Sequence, residues 1–116
     1  MKGWIGVDLD GTLAEYHGWQ GTEHIGPPIQ AMKDRVMLWL RRGKYDVKIF
    51  TARVSDPEQA TKARRAIKFW LAEYDFPELE VTCQKDYNMV ELWDDRCVQV
   101  IANTGEPVGK STRGLV

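Results

Sequence analysis

The chain has 116 residues, 43% of them hydrophobic, and a formal net charge of −1 from 16 basic and 17 acidic side chains. That is enough apolar material for one core of ordinary domain size, and the near-balance of charge excludes a whole-molecule pull toward nucleic acid or anionic lipid. The longest apolar runs are too short to span a bilayer and the N-terminus has no signal-peptide pattern. Only two cysteines, Cys83 and Cys97, are present and they match no metal-ligand spacing, so a reduced, cytosolic setting is expected.

In chain order, Trp4-Ile5-Gly6-Val7 reads as a buried strand that carries Asp8 and Asp10 out into a turn, with Gly11 permitting the turn and Thr12 offering a hydroxyl. Side chains of a strand alternate, so Asp8 and Asp10 are expected on one side. Residues 13–28 are rich in glycine, aromatic and polar residues without a sustained period, and read as a loop or small hairpin closed by Pro27 and Pro28. A loop of that length leaving the end of a strand is often functional. Over 29–42, Ile29, Met32, Val36, Trp39 and Leu40 repeat at helical spacing, and Gly43 is the expected stop.

Asp46 to Phe50 reads as a second strand ending in the hydroxyl of Thr51. A second helix starts at Asp56 as N-cap and Pro57 as first helical residue, with Gln59 placed to complete a capping box, and runs to about residue 75. Its basic residues Lys62, Arg64, Arg65 and Lys68 suit a solvated surface or a docking patch for a phosphate-rich partner. Short strands are expected at 80–83, at 90–93 running into Asp94-Asp95, and at 98–101, followed by a flexible tail over 109–116. The alternation predicts an α/β fold: one domain over 1–108, a Rossmann-like three-layer parallel sheet of about five strands with helices on its faces.

Four strand ends then bear reactive groups: Asp8 and Asp10, Thr51, Lys85, and Asp94 with Asp95. In a parallel sheet those ends share one edge, where ligands bind. Paired carboxylates there suit a hard cation such as Mg²⁺. Thr51 has a second reading as a cap for the turn that follows it, and Lys85 a second reading as an exposed partner of Asp86. Arg53 and Arg96 are candidates for a substrate phosphate or for ordinary ion pairs, and His17 and His24 read as loop residues. The five tryptophans read first as packing groups. Gly105 to Thr112 falls short of a phosphate-binding P-loop, having three residues between its glycines where four are needed.

This order of motifs resembles the haloacid dehalogenase superfamily from Met1 to about Val108. The matching elements are Asp8-Leu9-Asp10-Gly11-Thr12, the strand ending in Thr51, Lys85, and Leu92-Trp93-Asp94-Asp95. Asp94-Asp95-Arg96 is also similar to the phosphatase half of phage polynucleotide kinase-phosphatases and to small phage and bacterial proteins of the superfamily. The resemblance implies Mg²⁺-dependent phosphomonoester hydrolysis through an aspartyl-phosphate. Asp8 is then the nucleophile, Asp10 the general acid and base, and Thr51 and Lys85 the stabilisers of the phosphoryl group. Asp8, Asp10 (its backbone carbonyl also reaching the ion), Asp94 and Asp95 hold the metal, with Asp95 the direct ligand of the acidic pair. Gly11, Thr12, Thr51, Arg53 and Arg96 are the substrate-binding candidates.

The departures from the family pattern are a spacing of only eight residues between Lys85 and Asp94 and the lack of a cap domain. An uncapped site is expected to be open, with Tyr16, His17 and Trp19 as the residues available for partial cover. That suits a phosphorylated substrate that is large or end-exposed, nucleotides or nucleic-acid ends first, or a partner subunit supplying the lid. The competing readings are a phospho-receiver domain, against which the late acidic pair argues, and a non-catalytic phosphate- or nucleic-acid-binding protein on the same scaffold.

Overall fold

The computed structural model describes residues 2–109. Four strands form one all-parallel sheet: β1 (Trp4–Asp8), β2 (Asp46–Phe50), β3 (Glu80–Thr82) and β4 (Met89–Trp93), in the spatial order β3-β2-β1-β4. Helix α1 (Gln30–Arg42) joins β1 to β2, and helix α2 (Pro57–Glu73) joins β2 to β3. The direction of strand succession reverses between β1 and β4, as it does at the switch point of a Rossmann-like sheet. No helix among the described residues is long and apolar enough to cross a membrane.

The strands alternate as expected. Ile5 and Val7 of β1 and Val47 and Ile49 of β2 point to one face, where they pack with Met32 and Val36 of α1 and Ile67, Trp70 and Leu71 of α2. Helix α1 ends at Gly43 in the left-handed conformation (φ 68°), whose N–H bonds back to the Trp39 carbonyl. Helix α2 starts as predicted with Pro57 behind Asp56, but Asp56 caps the Glu58 N–H at 3.0 Å and no capping box forms. Gln59 instead accepts a bond from Thr22 Oγ1 at 3.1 Å, which ties the 13–28 loop to the helix start.

Two expectations change. Residues 98–101 do not add a fifth strand to the sheet; Val100 pairs only with Pro107 in an isolated antiparallel bridge, supported by Ile101 N–H to Glu106 O and Val108 N–H to Gln99 O. Only residues 94–97 separate β4 from this segment, and a crossover to a parallel neighbour needs about a dozen residues or more, so the segment folds back on itself. The opposite sheet face, bearing Trp4 and Gly6, is served by the six-residue segment Cys83–Asn88 rather than by a helical third layer. That segment has to pass from one edge of the sheet to the other, about 14 Å of lateral travel. It is fixed by Asp86, which accepts from Trp4 Nε1 at 2.7 Å and from the Asn88 N–H at 2.8 Å. The expected tail, apart from Gly109, lies outside the described residues, and so do Lys110 to Thr112 of the P-loop-like stretch.

Candidate active site

The site forms where β1 and β4 leave the sheet side by side. Their register shifts between Trp4, opposite Met89, and Ile5, opposite Glu91, so β4 carries one extra residue, Val90. The bulge brings Trp93 level with Val7. A one-residue slip would reverse every later side chain of β4. With the bulge, Trp93 packs edge-on against Trp39 of α1, with ring centroids 5.1 Å apart, and Asp94 emerges next to Asp8.

Carboxylate oxygens of Asp8, Asp94 and Asp95 lie within 4.8 Å of one another. Thr12 pins the two strand ends together, donating to Asp8 Oδ2 at 3.3 Å and accepting from the Asp95 N–H at 3.1 Å. Gly11 makes the approach possible. Its φ is +89°, and a Cβ there would sit 2.6 Å from Asp95 Oδ2. Burial, followed by the charge of Asp94 and the hydrogen bond to Asp95, pushes the Asp8 carboxyl up from 3.8 to about 8. Among the described residues none of the three forms an ion pair. Three like-charged oxygen donors at this separation repel one another, and a divalent cation between them removes the repulsion.

Asp10 is turned elsewhere. Both its oxygens are taken by Arg53, from Nε at 2.7 Å and Nη2 at 2.9 Å. The same guanidinium donates to the Thr22 carbonyl at 3.0 Å and the His24 carbonyl at 2.8 Å, and lies 4.8 Å from the centre of the Trp19 ring. Arg53 is thus a clamp between the first motif and the 13–28 loop rather than a free phosphate ligand. The sequence offered an ion pair for this residue, but neither its partner Asp10 nor its hold on the loop. The available signal was its position three residues beyond the end of β2, where the short 3-10 turn Ala52–Val54 forms.

Thr51 is 2% exposed and its Oγ1 accepts the Arg53 N–H at 3.2 Å, as a cap would, while its O–H remains available to donate into the cavity it lines. That cavity, ≈ 460 Å³, is bounded by Asp8, Asp10, Asp94 and Asp95 together with Thr51, Arg53 and Arg96. Tyr16 and Trp19 form part of its wall, along with Asp56 and Gln59 at the start of α2, two residues that nothing in the motif pattern singled out. Arg96 is exposed and, among the described residues, only its backbone N–H is engaged, on Asp94 Oδ1 at 2.8 Å.

The other candidates lie outside the cavity wall. Gly11 and Thr12 line a separate depression behind Asp94 and Asp95, so their contribution is to shape the carboxylate cluster. Lys85 is exposed and lines a different hollow with Lys48 and Arg64, because the short β3–β4 segment holds it over the sheet face. His17 and His24 border a small adjoining cavity of ≈ 170 Å³. Comparison with known proteins finds no match: no family model, curated protein or solved structure aligns with the chain.

Proposed function

We propose that the chain is a divalent-cation-dependent phosphomonoester hydrolase of the haloacid dehalogenase type. The observation that carries the reading is the convergence of Asp8, Asp94 and Asp95 at the sheet's switch point, with Asp8 crowded by two neighbouring carboxylates. Mg²⁺ held by Asp8, Asp94 and Asp95 would supply the positive charge that keeps Asp8 ionised and draws a phosphate toward it. The Asp8 carboxylate then attacks phosphorus, an acyl-phosphate bond forms and the ester P–O bond breaks. The Thr51 hydroxyl donates to a phosphoryl oxygen. Asp10 delivers a proton to the leaving oxygen and recovers one from the water that attacks the acyl-phosphate. Each Asp10 oxygen accepts one bond from Arg53 and keeps a second lone pair for the proton, so these transfers do not require the clamp to open. Lys85 lines a different hollow and is assigned no step, and among the described residues that line the cavity Arg96 is the cation left to meet the phosphate.

The test is hydrolysis of p-nitrophenyl phosphate with and without Mg²⁺. Asp8→Asn should abolish turnover, and acid quench of the wild-type protein should trap phosphate on Asp8. A protein that hydrolyses no phosphomonoester with any divalent cation, yet binds the cation, is the non-catalytic binding protein instead.

A further inference from the structure

The cavity wall facing the solvent carries aromatic surface that the fold leaves uncovered. Trp19 is 58% exposed and Tyr16 is 39% exposed, and both line the same cavity as the carboxylate cluster. Tryptophans that serve packing are placed differently in this chain: Trp4 and Trp70 are 2% and 4% exposed. Trp19 is nevertheless held in position. The Arg53 guanidinium lies against its ring, and that guanidinium is itself fixed by Asp10 and by the Thr22 and His24 carbonyls. An exposed ring on an anchored cation is a preorganised stacking surface, because the cost of ordering it is met before any ligand arrives.

Charge sharpens the point. The cavity is lined by Asp8, Asp10, Asp56, Asp94 and Asp95 against Arg53 and Arg96, and Arg53 is spent on Asp10. With Arg53 committed, the phosphate meets only the bound cation and Arg96 among the cavity-lining groups, so contacts to the uncharged remainder of the ligand add to binding. A volume of ≈ 460 Å³ lies within the range that small-molecule ligands occupy.

We infer that Trp19, propped by Arg53, is a specificity-determining stacking platform, and that the cavity takes phosphomonoesters whose alcohol carries a planar base, as in a nucleoside 5′-monophosphate. The inference rests on the reading above, in which the phosphate meets a cation held by Asp8, Asp94 and Asp95.

Adenosine 5′-monophosphate and ribose 5-phosphate test it, since they release phosphate from the same alcohol position and differ by the base. With Mg²⁺, kcat/KM should favour the nucleotide by about tenfold or more. Trp19→Ala should bring the ratio close to one, and Trp19→Phe should retain most of it. Calorimetric binding of the two ligands to the Asp8→Asn protein should show the same preference and the same dependence on Trp19. Equal turnover of both esters by the wild-type protein, or a ratio that survives Trp19→Ala, overturns the platform and leaves hydrolysis standing. Base-selective, Trp19-dependent binding in a protein that hydrolyses nothing overturns the hydrolase reading and leaves the platform standing.

Discussion

The carboxylate cluster depends on two small residues that lie outside the main cavity wall. Gly11 supplies a left-handed turn and the absence of a Cβ where Asp95 must approach. Thr12 supplies one hydroxyl that bonds both strand ends at once. Gly11→Ala should therefore act twice. The strained φ of +89° should cost about 1–3 kcal/mol of folding stability. The methyl group should also displace Asp95, so affinity for Mg²⁺ or Mn²⁺ should fall even where the protein remains folded. Denaturant unfolding and calorimetric metal titration separate the two effects. An Ala variant with unchanged metal affinity would show that Asp95 is not a ligand.

At the scale of elements, two irregularities fix the site. The extra residue Val90 in β4 aligns Asp94 with Asp8, and it is accommodated because residue 3 is glycine: a Cβ there would lie 2.6 Å from Val90 Cγ2. The second is the loop over 13–28, which pairs with itself at its base and is fastened further from outside. Its base is tied by Glu15 N–H to Pro27 O at 2.9 Å and by Trp70 Nε1 to Gly26 O at 2.8 Å, and its far part by Arg53. The Arg53 side chain is 5% exposed and its partner Asp10 is 20% exposed. Arg53→Ala should destabilise the fold by about 3 kcal/mol, the penalty for leaving a largely buried charge without its partner. It should also open the loop near Trp19 to limited proteolysis. Arg53→Lys should recover part of the stability but little of the loop protection, since an ammonium lacks the planar fork that serves two carboxylate oxygens and two carbonyls together. Equal protease resistance in all three proteins would show that the loop is held without the clamp.

For the whole molecule, the cluster couples folding to pH and to cation. The Asp8 carboxyl is raised to about 8 in the folded protein, by burial first and by Asp94 and Asp95 next. In the cation-free protein the native state keeps its Asp8 proton between about pH 4 and pH 8 while the unfolded chain has lost its own. The native state binds more protons over that window, so stability falls as pH rises through it. Melting in a chelator should therefore move to lower temperature from pH 5 to pH 8. Saturating Mg²⁺ should remove most of that loss, because binding to the native state alone raises its stability. Asp8→Asn should flatten the dependence. A wild-type melting temperature that does not respond to Mg²⁺ at pH 8 would count against a cation at this site.

The sequence by itself determined the parts of the fold that rest on local signals. Periodicity placed both helices, Gly43 and Asp56-Pro57 marked their ends, and the apolar runs located the four strands that pair. The motif order also named Asp8, Asp94 and Asp95 as neighbours, because strand order and a parallel sheet put strand ends at one edge whatever their distance in the chain.

Tertiary structure alone decided the rest. Val98 to Ile101 has strand-like composition, but a strand needs a partner in the sheet, and the connection from β4 to this segment is too short to return it to one. Lys85 lies on a connection only six residues long, whose path is set by the distance between the sheet edges, and it lines a hollow apart from the main cavity. Asp10 was drawn from the cluster by Arg53, a pairing across 43 positions that no local pattern contains. A bulge, a clamp and a taut crossover are each settled by where distant segments must meet, and that information exists only once the chain has folded.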